Sequence, residues 1–178
     1  MFPDMSLVLG VIAVLTATVL QDMIPANALL PVKGYFLSAV AAYYVLTKPK
    51  LMSGVIVIWA GMLTDALGGL PNGCTFFFLL VVYALLLACK RILIEATIWQ
   101  GTVLMAIFSI LQQLWTHAWV CQTGIPFFSM NMLKLTGFSA AMGLVTGFSM
   151  FALCTWLERF KGVVDRSSTA GEGMNGIV

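Results

Sequence analysis

The stretch GMLTDALGGLPNG, from Gly61 to Gly73, sets one acid, Asp65, inside an apolar helical run that stops at a Gly/Pro turn. The rest of the chain makes that acid costly. Hydrophobic residues make up 61% of the 178 positions and charged residues only 9%, with a mean hydropathy of +1.00. Soluble domains carry charge at roughly a quarter of their positions, so the composition is that of an integral membrane protein. An ionisable side chain at membrane depth is tolerated only where it is paired or faces a protein or water interior, which makes Asp65 the first candidate for a functional role.

At roughly 20 residues per span, this length holds about six transmembrane helices and no soluble domain. Apolar segments run over 6–20, 31–47, 51–70, 73–89, 96–119 and 130–157. The expected fold is therefore an all-α membrane bundle of six helices. Lys48 and Lys50 fall between helices 2 and 3, Lys90 and Arg91 between helices 4 and 5, and Arg159, Lys161 and Arg166 after helix 6. By the positive-inside rule these basic residues mark the cytoplasmic side, so both termini are expected inside. Only Lys33 and Lys134 depart from the pattern, each just within the outer end of its helix.

Residues 1–161 read as one transmembrane domain and 162–178, rich in Gly, Ser and Thr, as a mobile cytoplasmic tail. The N-terminal MFPDMS has no Lys or Arg and no clear cleavage signal follows it, so the first helix is expected to be retained. No fixed-period repeat is present. A net charge of +2 gives no reason to expect nucleic acid as a partner.

Helix 3 runs outward and ends near Leu70, which puts Asp65 five residues in, about 7 to 8 Å below the boundary at 1.5 Å per residue. Lys134 stands at similar depth on helix 6, and Lys33 is shallower on helix 2. One expectation is an outward-facing polar cluster in which Asp65 pairs with Lys134 or Lys33. The other is that the lysines extend to the headgroups while Asp65 accepts hydrogen bonds from Thr64 or a turn amide.

Gly61, Asp65 and Gly69 lie four apart, so the acid shares a helix face with two glycines. The same small-residue spacing recurs in Ser139, Gly143 and Gly147 on helix 6 and in Ala13 and Ala17 on helix 1. Such stripes let helices approach closely, and packing within the bundle is the first expectation. A stripe that receives another protein is the alternative, with terminal helix 1 the best placed.

No catalytic constellation stands out. The chain has no H-E-x-x-H, no Ser/His/Asp ordering and no phosphate-cradling loop, and Asp65 has no second acid beside it. Cys74, Cys89, Cys121 and Cys154 show no metal or redox spacing, and His117 has no companion at metal spacing, so no metal or cofactor is expected. Cys74 and Cys121 both fall near the outer face, where an oxidising compartment could join them. Trp115, Trp119, Phe127 and Phe128 at the outer edge and Trp156 at the inner edge fit an interfacial aromatic belt. The eleven methionines read as gap-fillers in apolar helices.

The segment 31–87 joins a short second helix, a Lys-Pro-Lys turn, the run GMLTDALGGLPNG and an aromatic-rich fourth helix ending at Lys90 and Arg91. In this it resembles the bacterial rod shape-determining MreD family. Gly61, Asp65, Gly69, Pro71 and Gly73 match that family's pattern of a G-x-x-x-D helix followed by small residues, a Pro and a Gly; helices 5 and 6 match in hydropathy alone. The resemblance implies a non-enzymatic, multi-pass scaffold of the bacterial inner membrane. It would link the actin-like filament and the bitopic protein MreC to cell-wall (peptidoglycan) synthases, in contact with membrane lipid. The family is similar in fold to the S components of energy-coupling-factor vitamin transporters, which supplies the alternative function. An outer pocket would then involve Trp115, His117, Trp119, Gln122 and Asn131, and Ala13 and Ala17 would contact a coupling subunit.

Overall fold

Pro49 divides the second apolar run from the third. It has no N–H to donate and disfavours helical backbone at the residue before it, and Lys48 is accordingly extended, at φ −106° and ψ 167°. Lys48 donates its own N–H to Tyr44 O (2.9 Å) and closes one helix, while Pro49 O accepts the Ser53 N–H (3.1 Å) and opens the next. In the computed structural model, backbone is described for residues 5–23, 34–68, 73–89, 98–120 and 130–172, and side chains for 8–23, 34–67, 73–88, 98–119 and 131–159.

Among the described residues there are six α-helices and no strand: α1 (Met5–Met23), α2 (Phe36–Thr47), α3 (Lys50–Gly68), α4 (Cys74–Cys89), α5 (Ile98–Val120) and α6 (Met130–Glu172). Two of them, over Lys50–Leu67 and Asn131–Arg159, are long and apolar enough to cross a membrane. Successive helices run antiparallel. Gly10 of α1 lies against Tyr44 and Ile56, Gly61 of α3 against Phe76 of α4, and Gly143 of α6 against Ser109 of α5. One end of the bundle thus gathers Lys48, Lys50, Glu158 and Arg159; the other gathers Asp65, the start of α4 and the end of α5.

The short α2 is the axis of the fold. It touches each of the other five helices, and every residue from Phe36 to Val45 is buried. A helix apolar on all sides requires such a position, because it has no polar face to turn outward. Its residues are small or flat where neighbours come closest: Ala39, Ala41 and Ala42 are covered, and Tyr43 meets Phe151 of α6 edge-on at 5.3 Å between ring centres. At the C-terminal end of α2, Lys48 forms an ion pair with Glu158 of α6.

α5 and α6 form the largest helix pair. A Cβ on Gly143 would lie 2.7 Å from Met105 O, and one on Gly147 would lie 2.7 Å from Met105 Cβ, so the Ser139/Gly143/Gly147 stripe is where α5 is received. Ala13 and Ala17 are fully buried, so that face of α1 is turned inward. The α1 surface open to the outside includes Val8, Val11, Ile12, Leu15 and Val19 instead.

Two boundaries differ from the sequence reading by more than three residues. α2 begins at Phe36, whereas 31 was expected; Gly34 and Tyr35 are not helical, and 31–33 lie outside the described residues. α6 continues to Glu172, well past Leu157 and into the stretch read as a mobile tail. Nothing from 158 to 172 forbids this, since the stretch has no proline and each glycine costs a helix only about 1 kcal/mol. Lys161 and Asp165 are also spaced to favour it.

Candidate functional site

The turn into α4 poses a problem that Asp65 solves. The first N–H groups of a helix have no partner within it and must be satisfied from elsewhere when buried. Among the described residues, no side chain adjacent in sequence does so. Asp65, one helix back and 4% exposed, supplies both carboxylate oxygens: Oδ1 accepts the Thr75 N–H (2.8 Å), and Oδ2 accepts those of Gly73 (3.0 Å) and Phe76 (3.2 Å). These are charge-assisted bonds, and the negative charge sits at the positive end of the α4 dipole.

Two glycines make the reach possible. Gly73 has φ +99°, a backbone conformation that L side chains rarely adopt. Gly61, one turn before Asp65, faces the first turn of α4 so closely that a Cβ would stand 2.8 Å from Phe76 Cα. The G-x-x-x-D…G spacing is therefore a helix clamp. Gly61 brings α4 in, Asp65 holds its amides, and Gly73 turns the chain between them. Gly69 and Pro71 belong to the same pattern and lie outside the described residues.

The expected ion pair with Lys134 is not formed. Lys134 is exposed, and among the described residues the ion pair present is Lys48–Glu158. Asp65 is satisfied by turn amides, the other expectation raised by the sequence, and three such bonds remove the need for a cation. Lys33 lies outside the described residues.

An aromatic group closes the far side of the clamp. Trp115 of α5 donates its Nε1–H to Cys74 O (3.0 Å) and packs against Phe78 and Trp119, which in turn stacks on Phe77. Trp115 and Trp119 thus tie α5 to the start of α4 besides lying near the edge of the bundle. Cys74 is buried with a free thiol, while Cys121, Gln122, Phe127 and Phe128 lie outside the described residues. Asn131 is exposed, and Trp156 is exposed on α6 at the Lys48 end.

A second set of buried polar groups surrounds the start of α2, and the sequence reading passed over most of it. α2 has no side-chain cap of its own; Gln21 of α1 accepts the Leu37 N–H through Oε1 (3.3 Å). Ser38 donates to Gln112 Oε1 (2.9 Å), and Tyr35 donates to Gln113 Oε1 (3.2 Å) while pairing with Ser139 Oγ (2.9 Å). Ser109 reaches Ser139 O at 2.8 Å. The signal was present in the sequence: adjacent glutamines inside an apolar helix carry the same cost as Asp65 in milder form.

The groups around the start of α2 hold helices together, whereas Asp65 borders an open cavity of about 450 Å³ with Met62, Gly73 and Phe76. A cavity between α2 and α4, bordered by Ser38, Ala42 and Phe78, has a volume of about 10 Å³, about enough for one water. Among the described residues no group of three His, Cys, Asp or Glu side chains is placed to hold a metal ion. No protein-family model, no curated protein and no solved structure matches this chain.

Proposed function

We propose that this chain is a multi-pass protein of the bacterial cytoplasmic membrane and a non-enzymatic scaffold of the cell-elongation complex. In this role it couples an MreC-like bitopic protein and the cytoskeletal filament to peptidoglycan synthesis. The reading is supported by an apolar perimeter wrapped around an interior whose polar groups are spent on architecture. Large apolar side chains face outward on each outer helix, four apart on two of them: Trp99, Val103, Ile107 and Leu111 on α5, and Phe77, Val81 and Leu85 on α4. Soluble monomers rarely expose contiguous apolar surface on that scale. Among the described residues, charges keep to the two ends, with Lys48, Lys50, Glu158 and Arg159 at the end assigned to the cytoplasm.

Within this reading, the residues that carry the family resemblance act on the fold. Asp65 is buried and bonded to three amides, so its carboxylate is committed to holding the start of α4. Extraction from the native membrane in mild detergent, followed by mass spectrometry of what co-purifies, tests the proposal. An MreC-like bitopic protein recovered with cell-wall synthases is the expected result. Recovery of paired ATPase subunits with a coupling membrane protein, or of a bound vitamin, would replace the scaffold with a transporter's S component.

A further inference from the structure

We infer that the α4 side of this bundle is built for a bilayer thinner than average, so that the lipid it fits has short acyl chains. The inference rests on the membrane reading above. The apolar run of α4, from Cys74 to Cys89 and bounded in sequence by Lys90, has 16 residues, which at 1.5 Å each gives about 24 Å, and any tilt shortens its vertical reach. A typical hydrocarbon core is about 30 Å thick. α2 is shorter still but is enclosed by the other five helices, whereas α4 presents Phe77, Val81 and Leu85 outward. A short helix matters to lipid only where lipid touches it.

Nor is α4 free to slide. Its start is fixed by the three bonds to Asp65 and by the turn at Gly73. Tyr83, beyond its midpoint, donates to Lys50 O (2.8 Å) at the opposite end of α3, and Phe76 lies against Gly61 between the two. In sequence, Lys90 and Arg91 follow Cys89 directly, and a pair of cations marks the edge of the apolar region. The neighbouring α5, at 23 residues, is about 35 Å long, and the apolar part of α6 covers 29 residues. One side of the perimeter is therefore low and the other high. Long helices accommodate by tilting, but a pinned short one leaves the bilayer to thin around it.

Reconstitution of the full chain into phosphatidylcholine vesicles of fourteen-, eighteen- and twenty-two-carbon monounsaturated chains tests this, with the thermal midpoint read in each. The midpoint is expected to be highest in the fourteen-carbon lipid and several degrees lower in the twenty-two-carbon lipid. Inserting Leu-Ala-Leu-Leu between Ala88 and Cys89 adds about 6 Å and is expected to move the optimum toward eighteen carbons. A flat profile, or an optimum in the longest lipid, would overturn the thickness inference and leave the membrane reading intact. Failure to enter vesicles of any thickness, with the chain folded and extracted by alkaline carbonate, would overturn both.

Discussion

Asp65 has two jobs available to it in a low-dielectric setting, as one half of an ion pair or as the acceptor for a helix start, and they respond differently to substitution. An ion pair depends on its cation, whereas a cap depends on oxygens placed within reach of specific N–H groups. The bonds at 2.8, 3.0 and 3.2 Å to Thr75, Gly73 and Phe76 make it a cap. Asp65→Ala leaves open one buried donor, Thr75 N–H, and two part-buried ones, those of Gly73 and Phe76, and is expected to cost about 3 kcal/mol. Asp65→Asn keeps one acceptor and loses the charge, and is expected to cost about 1 to 2 kcal/mol. Lys134→Gln, on an exposed side chain, should stay within about 0.5 kcal/mol of the parent. Denaturation midpoints of the three variants in one detergent test this ordering, and a Lys134→Gln loss equal to that of Asp65→Asn would restore the ion pair.

At the scale of the helices, glycine has opposite meanings at two positions. Gly61 faces Phe76 Cα, and a backbone atom at 2.8 Å cannot be rotated aside. Gly61→Ala therefore forces α3 and α4 apart at the clamp, with an expected loss of about 1 to 3 kcal/mol that exceeds the helix-propensity gain of about 1 kcal/mol. Gly137 on α6 has nothing within 4 Å of where its Cβ would stand, so Gly137→Ala is expected to gain up to about 1 kcal/mol. Thermal midpoints moving in opposite directions would confirm the contrast, and a gain at both would deny the close approach of α3 and α4. Legibility from sequence followed the same division. Long apolar runs revealed the helices, and the four-residue spacing of Gly61 with Asp65 and of Ser139, Gly143 and Gly147 revealed which faces were special. What each face meets was not legible, because contacts such as Asp65 to Thr75 or Gln21 to Leu37 depend on how separate helices are set against each other. The continuation of α6 past Leu157 is not legible in the apolar pattern, which stops there, because polar residues also form helices when no proline intervenes.

For the whole molecule, the decisive question is what surrounds the perimeter, and one substitution on an outward face separates lipid from water. Val81 sits at the middle of α4, half exposed, in line with Phe77 and Leu85. If water surrounds it, Val81→Arg is an ordinary surface change worth at most about 0.5 kcal/mol. If hydrocarbon does, a charge at the centre of a span costs about 2.5 to 3.5 kcal/mol on insertion scales. The penalty falls on a span with little to spare, because the apolar run of α4 is only 16 residues before Lys90. Asp22→Arg, at an exposed position near the end of α1, carries no such penalty under either reading. The expected outcome is a several-fold drop in the carbonate-resistant membrane fraction for Val81→Arg with the Asp22→Arg fraction unchanged. Equal fractions for the two variants would mean that the apolar stripes on α4 and α5 face something other than lipid, and both the membrane placement and the scaffold built on it would fall together.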